Sequence, residues 1–242
     1  MNEIDVFNRP AQTVKRHDLP TTAAARDTHH LAIHRSGGAL RLGPSPVDAA
    51  AVAVAVHGRS LSPEYMVEHL VRRVQSAHPD EIAWVLPRAD QSSWYPAGFL
   101  SPMHENQPAL DDALAVMREI EGELASIEAR RVVWIGFSQG ACMVAEHAAR
   151  SPKRWGGLAV LTGGLISALG DELGAGTFDG MPAYFSNGDD DSWVPAWHTQ
   201  ATAEQFRRAG AQVHVDVIAG RAHEISDLEV ERVRALVDGA TA

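Results

Sequence analysis

From Ala49 to the end of the chain, apolar positions alternate between two kinds of run. Ala49–Val56 is continuously apolar, as in a strand buried on both faces. Pro63–Ala77 instead spaces Met66, Leu70, Val71 and Val74 along one helical face. Ile82–Leu86 reads as the next strand, followed by a long loop, Pro87–Asn106, rich in proline and aromatics. Ala109–Ala129 has helical spacing through Leu110, Ala113, Leu114, Met117, Ile120 and Leu124. A short apolar strand from Arg131 ends at Gly136 and gives way to an Ala-rich helical pattern, Ala141–Arg150. Strand Leu158–Leu161, an excursion from Thr162 to Gly180 and strand Ala183–Ser186 follow. Helix Ala196–Ala209, strand Val213–Ile218 and helix Glu224–Val237 complete the pattern. This alternation predicts an α/β fold: a doubly wound, mostly parallel sheet with helices on both faces.

Upstream, residues 1–27 are polar, contain Pro10 and Pro20, and read as an N-terminal extension to a single domain over 28–242. Two short strands, His29–His34 and Ala39–Leu42, are expected around a turn at Ser36-Gly37-Gly38. No internal repeat or low-complexity tract interrupts the pattern.

Composition narrows the partners. A length of 242 residues suits one large domain, and 45% apolar with 21% charged residues is ordinary for a globular protein. The net charge of −10, from 21 basic and 31 acidic side chains, argues against nucleic acid or an anionic membrane as a main partner. Cys142 is the only cysteine, so no internal disulfide can form. Residues 1–27 contain no apolar stretch of signal-peptide type, and no apolar run reaches the roughly 18 residues that would cross a bilayer. The expectation is a soluble cytoplasmic protein without stable membrane association. The extension could pack against a second subunit, which leaves a homodimer open.

The candidate chemistry centres on Gly136-Phe137-Ser138-Gln139-Gly140. A Gly-x-Ser-x-Gly pattern alone is a weak signal; a strand before it and a helix after it make it specific, and the whole resembles the nucleophile elbow of α/β-hydrolases. Ser138 is then the nucleophile, and it needs a base and an orienting carboxylate. In the hydrolase order these follow in loops after later strands. The loop after Ala183–Ser186 offers Asp189, Asp190 and Asp191, and the loop after Val213–Ile218 offers His223. The residues alone leave the three aspartates as alternatives. An oxyanion hole would use the backbone N–H of Gln139 and one from His57-Gly58-Arg59-Ser60, with Arg59 the expected donor. His57 reads as a brace for that loop, and Cys142 as a small packing residue. Trp94, Tyr95, Phe99, Leu100, Met103, Leu165 and Trp193 fall in loops at the expected ligand edge and are candidate pocket residues, although packing of the loop is the competing reading. No metal site is expected, because no second acidic cluster is placed to complete one, and no cofactor is implied.

These pieces together resemble the phospholipase/carboxylesterase family, which includes bacterial carboxylesterases and acyl-protein thioesterases. The matching residues are Val56-His57-Gly58-Arg59, Ser93-Trp94-Tyr95-Pro96, the Ser138 elbow, Gly188 through Pro195, and Gly220-x-x-His223. The resemblance selects Asp191 as the acid and places the second oxyanion donor at Arg59. Two departures stand out: Ser60 where members often carry glycine, and Ser192 after the acid where they often carry proline, with the bulky Trp193 next. The Trp-Tyr-Pro loop is most similar to the bacterial branch. The resemblance implies a carboxylesterase acting on a small-molecule ester of small to medium size, an aromatic ring-cleavage product among them. A thioesterase or lysophospholipase with a longer acyl slot is the alternative, and a non-catalytic binding protein on the same fold a remote one.

Overall fold

The computed structural model describes residues 38–75, 80–166, 173 and 176–242. The expected extension over 1–27 and the strand His29–His34 lie outside the described residues. Strands β1 (Leu40–Leu42), β2 (Ala51–Val56), β3 (Ile82–Leu86), β4 (Val132–Phe137), β5 (Gly157–Leu161), β6 (Pro182–Gly188) and β7 (Gln212–Ile218) form one sheet. Its order is β1-β3-β2-β4-β5-β6-β7, with β1 antiparallel to β3 and every other pair parallel.

Period-two side-chain alternation explains how this sheet is covered. Along β2, Val52, Val54 and Val56 enter one core and Ala51, Ala53 and Ala55 the other. The valine side packs against α4 (Ala109–Glu123), α5 (Gln139–Arg150) and α6 (Ala196–Arg208) through residues such as Leu114, Val144 and Phe206. The alanine side lies under the segments α1 (Pro63–Met66) and α2 (Arg72–Gln75), and under α7 (Asp227–Thr241). Between α1 and α2 runs a π-helical turn, Val67–Val71, which keeps Leu70 and Val71 facing Val230, Val233 and Val237.

The helix boundaries differ from expectation in two instructive places. The helix expected to reach Ala129 ends at Glu123; Gly122 weakens its last turn, and Leu124 accepts a tight-turn hydrogen bond from Ile127 N–H at 2.9 Å. The last helix begins at Asp227 rather than Glu224, because Ser226 and Glu229 form a reciprocal capping box. Glu229 N–H donates to Ser226 Oγ at 3.3 Å, and Ser226 N–H donates back to Glu229 Oε2 at 2.7 Å. Pairing these groups satisfies two helix-end donors that would otherwise lack partners. Of the expected strands, β3 is unchanged, β5 and β7 each gain one residue and β6 gains three. β1 and β2 start one and two residues later, and β4 is shifted by one residue to Val132–Phe137.

Ser226→Ala removes this cap, and we expect it to lower global stability by about 1 kcal/mol. Urea denaturation of the purified variant beside the parent checks it; an unchanged midpoint would leave the cap without energetic weight.

Candidate active site

Strand register decides which loops meet. Val56 of β2 pairs with Gly136 of β4, so His57-Gly58-Arg59 and Phe137-Ser138-Gln139 leave the sheet side by side. This is also where the strand order reverses, with β3 on one side of β2 and β4 on the other, the crevice in which open α/β sheets bind ligands. Farther along, Gly188 of β6 pairs with Ile218 of β7, so the Asp191 and His223 loops also start together.

Ser138 sits between β4 and α5 with φ 55° and ψ −120°, in the left-handed half of backbone space that a side chain rarely adopts. The two flanking glycines make that turn physically attainable. A Cβ on Gly136 would stand 2.2 Å from Gly140 O, and one on Gly140 would stand 2.1 Å from Val56 O. The first turn of α5 is therefore pressed against the end of β2, and Gly58 passes so close that a Cβ there would reach Ser138 Cβ at 3.0 Å.

His223 brings its ring to this serine. Its Nε2 lies 2.9 Å from Ser138 Oγ, and its Nδ1 lies 2.7 Å from Asp191 Oδ2. A carboxylate only accepts, so Nδ1 carries the hydrogen and Nε2 presents its lone pair to the Ser138 hydroxyl. Asp191 is itself held: its Oδ1 accepts from the backbone N–H groups of Trp193 at 2.8 Å and Val194 at 2.9 Å. Burial opposes its ionisation, but those two donors and the His223 ring outweigh burial and hold its carboxyl below the ordinary carboxylate value. The three aspartates thus separate. Asp189 accepts from Gly220 N–H at 2.6 Å and ties the two loops together, Asp190 is exposed, and Asp191 faces His223.

Beneath this edge lies a polar network that the sequence reading missed. Arg221 is nearly fully buried; it donates through Nη2 to Thr162 Oγ1 at 2.6 Å and pairs with the buried Glu229 at 3.4 Å. Glu229 Oε1 also accepts from Ser186 Oγ at 2.5 Å. One guanidinium and one carboxylate thereby link the ends of β5 and β6 to α7 directly under the His223 loop. The Ser226-x-x-Glu229 capping pattern was the available sequence signal for this second role of Glu229.

Arg59 and Gln139 each work at two levels. Gln139 opens α5, so its N–H has no intrahelical acceptor, and Arg59 N–H has no backbone acceptor among the described residues. Their side chains meanwhile grip the Trp-Tyr-Pro loop. Arg59 donates to the carbonyls of Tyr95, Pro96 and Ala97 at 2.9, 2.9 and 2.6 Å. Gln139 accepts from Trp94 N–H at 2.9 Å and donates to Tyr95 O at 2.8 Å. His57 is buried and braces the same loop, accepting from Ala89 N–H at 3.1 Å through Nε2 while Nδ1 faces Gly58 O at 2.8 Å. Ser60, standing where family members often have glycine, adopts φ 61° and donates its N–H to Ser92 O at 2.7 Å.

The candidate pocket residues divide. Trp94, Tyr95 and Leu165 are buried in the core, where they pack the loop onto the body instead of lining an opening. For Trp94 and Tyr95 the reason is the hydrogen bonds just described together with Trp94 Nε1–H to His57 O at 2.9 Å, which pull the loop inward. Leu165, in the loop after β5, donates its N–H to Thr202 Oγ1 at 3.1 Å. Phe99 and Met103 are half-buried, and Leu100 and Trp193 are exposed. Cys142 is buried in α5, and desolvation pushes its thiol up to about 11. A cavity of about 610 Å³ lined by Glu128, Arg130, Arg131 and Arg154 opens at the opposite, amino edge of the sheet. Among the described residues, no helix is long and apolar enough to cross a membrane.

A mostly parallel sheet of this order, with a strand–serine–helix elbow at its reversal point, defines an α/β-hydrolase. The profile of the phospholipase/carboxylesterase family matches residues 71–239, and the chain belongs to that family of ester hydrolases. The match begins after the Arg59 loop. Among solved structures, a phospholipase/carboxylesterase from Dyadobacter fermentans is 32% identical, with a TM-score of 0.73 over 86% of this chain and 98% of its own. A carboxylesterase from Mesorhizobium loti shares the fold at 20% identity, with a TM-score of 0.60 over 79% of this chain and 90% of its own. SOBER1 from Arabidopsis thaliana does so at 21% identity, with a TM-score of 0.64 over 79% and 99% respectively. No curated protein matches the chain.

Two outcomes follow from this geometry. Gly140→Ala drives a methyl group into Val56 O, and we expect a loss of about 3 kcal/mol or failure to fold, read by thermal denaturation. Asp191 has a depressed folded pKa, so its contribution to stability is complete above the ordinary value of 3.8 and is lost as pH falls through the folded value. The stability difference between the parent and Asp191→Asn should therefore hold steady from pH 7 to about 5 and shrink toward pH 3. Denaturant titrations at each pH check this, and a gap that widens on acidification contradicts it.

Proposed function

We propose that the chain is a serine carboxylesterase that hydrolyses small to medium carboxylic esters through an acyl-enzyme on Ser138. The observation that carries the reading is the pair of hydrogen bonds running from Asp191 through His223 to Ser138, at 2.7 and 2.9 Å, at a strained elbow. His223 Nε2 takes the hydroxyl proton as Oγ bonds to the ester carbonyl carbon. Asp191 keeps the imidazole in the required tautomer and stabilises the cation that forms. The backbone N–H groups of Arg59 and Gln139 receive the oxyanion, each such donor being worth roughly 3–4 kcal/mol in the transition state. His223 then returns the proton to the departing alkoxide, and the carbonyl–oxygen bond breaks. Water, deprotonated by the same nitrogen, releases the acid and restores Ser138.

Membership of an ester-hydrolase family supports the reaction class. Burial of Trp94, Tyr95 and Leu165 supports a short acyl group, since a long slot behind the loop would require these side chains to leave the core.

The test is hydrolysis of p-nitrophenyl esters from acetate to palmitate by the parent and by Ser138→Ala. The parent should favour short chains, and the variant should lose at least about 10⁴-fold in kcat while keeping its fold by circular dichroism. Near-parental turnover in Ser138→Ala would sink the nucleophile assignment, and a preference for palmitate would replace the short-acyl reading with a thioesterase or lysophospholipase one.

A further inference from the structure

Trp193 is 76% exposed, the most exposed of the large apolar side chains among the described residues, yet it stands beside the base. Its ring centroid is 6.4 Å from that of His223. Its backbone is tied to the turn that carries the acid, with its N–H donating to Asp191 Oδ1 at 2.8 Å. A second exposed indole, Trp197, lies in the first turn of α6, its centroid 5.4 Å from His198, which in turn lies 4.9 Å from Phe99. Large apolar rings left in water forgo a substantial burial free energy, and a fixed one beside a catalytic group is a binding surface in waiting.

The reaction geometry says which half of an ester meets it. This step rests on the Ser138–His223 reading above. The oxyanion donors on the Arg59 and Gln139 side fix the carbonyl oxygen, and His223 Nε2 must reach the leaving oxygen to protonate it. The Trp193 loop leaves β6 next to the His223 loop of β7, whereas the Arg59 loop leaves β2, three strands away, so the ring borders the alcohol half and not the acyl half. We propose that Trp193 is the specificity residue for the leaving group, selecting esters whose alcohol portion is an aromatic or bulky apolar ring that stacks on the indole. The step itself is ordinary acylation: the Ser138 Oγ–carbonyl carbon bond forms, the carbon–alkoxy oxygen bond breaks, and the proton on Nε2 goes to the departing oxygen. After that departure nothing stacks on Trp193, so its influence ends before deacylation.

That sequence gives the test. Acetate esters of ethanol, phenol and 2-naphthol share one acyl-enzyme, and their kcat/KM values are compared in the parent, Trp193→Ala and Trp193→Phe. Trp193→Ala should lower the ratio of naphthyl to ethyl kcat/KM about tenfold, and Trp193→Phe should recover most of that ratio. The deacylation rate, read from the steady-state phase after an acyl-enzyme burst, should not change in either variant. Equal losses on the ethyl and naphthyl esters, or a changed deacylation rate, would overturn the leaving-group role while the esterase reading stood. Absence of turnover by the parent on all three, with no labelling of Ser138 by a serine-directed phosphonate, would overturn both.

Discussion

The close approach of α5 to the end of β2 is the constraint on which the rest of this molecule hangs. Gly140 lies against Val56 O and Gly136 against Gly140 O with no room for a single added carbon at either place. With the helix held this close, its first residue, Gln139, comes level with the loop that leaves β2. The serine between them is forced into a positive φ, and its side chain is lifted clear of the sheet. A backbone in a sparsely populated conformation persists only when its surroundings over-determine it. Here the surroundings are the two hydrophobic cores, which clamp the sheet and fix where β4 must end.

Much of this was legible in the sequence, for identifiable reasons. Ala49–Val56 is a short, valine-rich apolar run of the kind a central parallel strand buries, and the 3.6-residue spacing of Leu110 through Ile120 marks one face of a helix. The elbow was legible because sterics leave so few residue types that fit it. Choosing Asp191 over Asp189 and Asp190 needed the family pattern, because three adjacent carboxylates look alike until a turn points each somewhere different. The structure shows what each one faces: a loop amide for Asp189, solvent for Asp190, an imidazole for Asp191. The pocket was the least legible part. Trp94 and Tyr95 belong to an aromatic loop whose apolar side chains serve packing or binding equally well on composition alone. Their burial is decided by Gln139, Arg59 and His57, residues distant in sequence.

Those same residues show how economical the site is. Arg59 and Gln139 offer backbone N–H groups on one side and use their side chains to hold the Trp-Tyr-Pro loop on the other. Backbone chemistry would tolerate many residue types at both positions, since any non-proline residue has an N–H. The side-chain bonds narrow that choice to a long fork able to reach three carbonyls and to an amide that donates and accepts at once. A loop adjoining the site is in this way tied to the two residues that directly follow Gly58 and Ser138.

The buried pair of Arg221 and Glu229 has a consequence for how this chain can change over time. Each is the other's charge partner in a region closed to water, and removing either strands an ion whose burial is strongly unfavourable. Replacing both with well-packed apolar side chains of similar volume would cost far less. Two neighbouring viable sequences are therefore separated by intermediates that are not viable, and lineages should hold both residues or neither. The pair acts as a historical lock: once a chain has adopted it, drift at either position alone is closed off, whatever happens to the ester the enzyme meets.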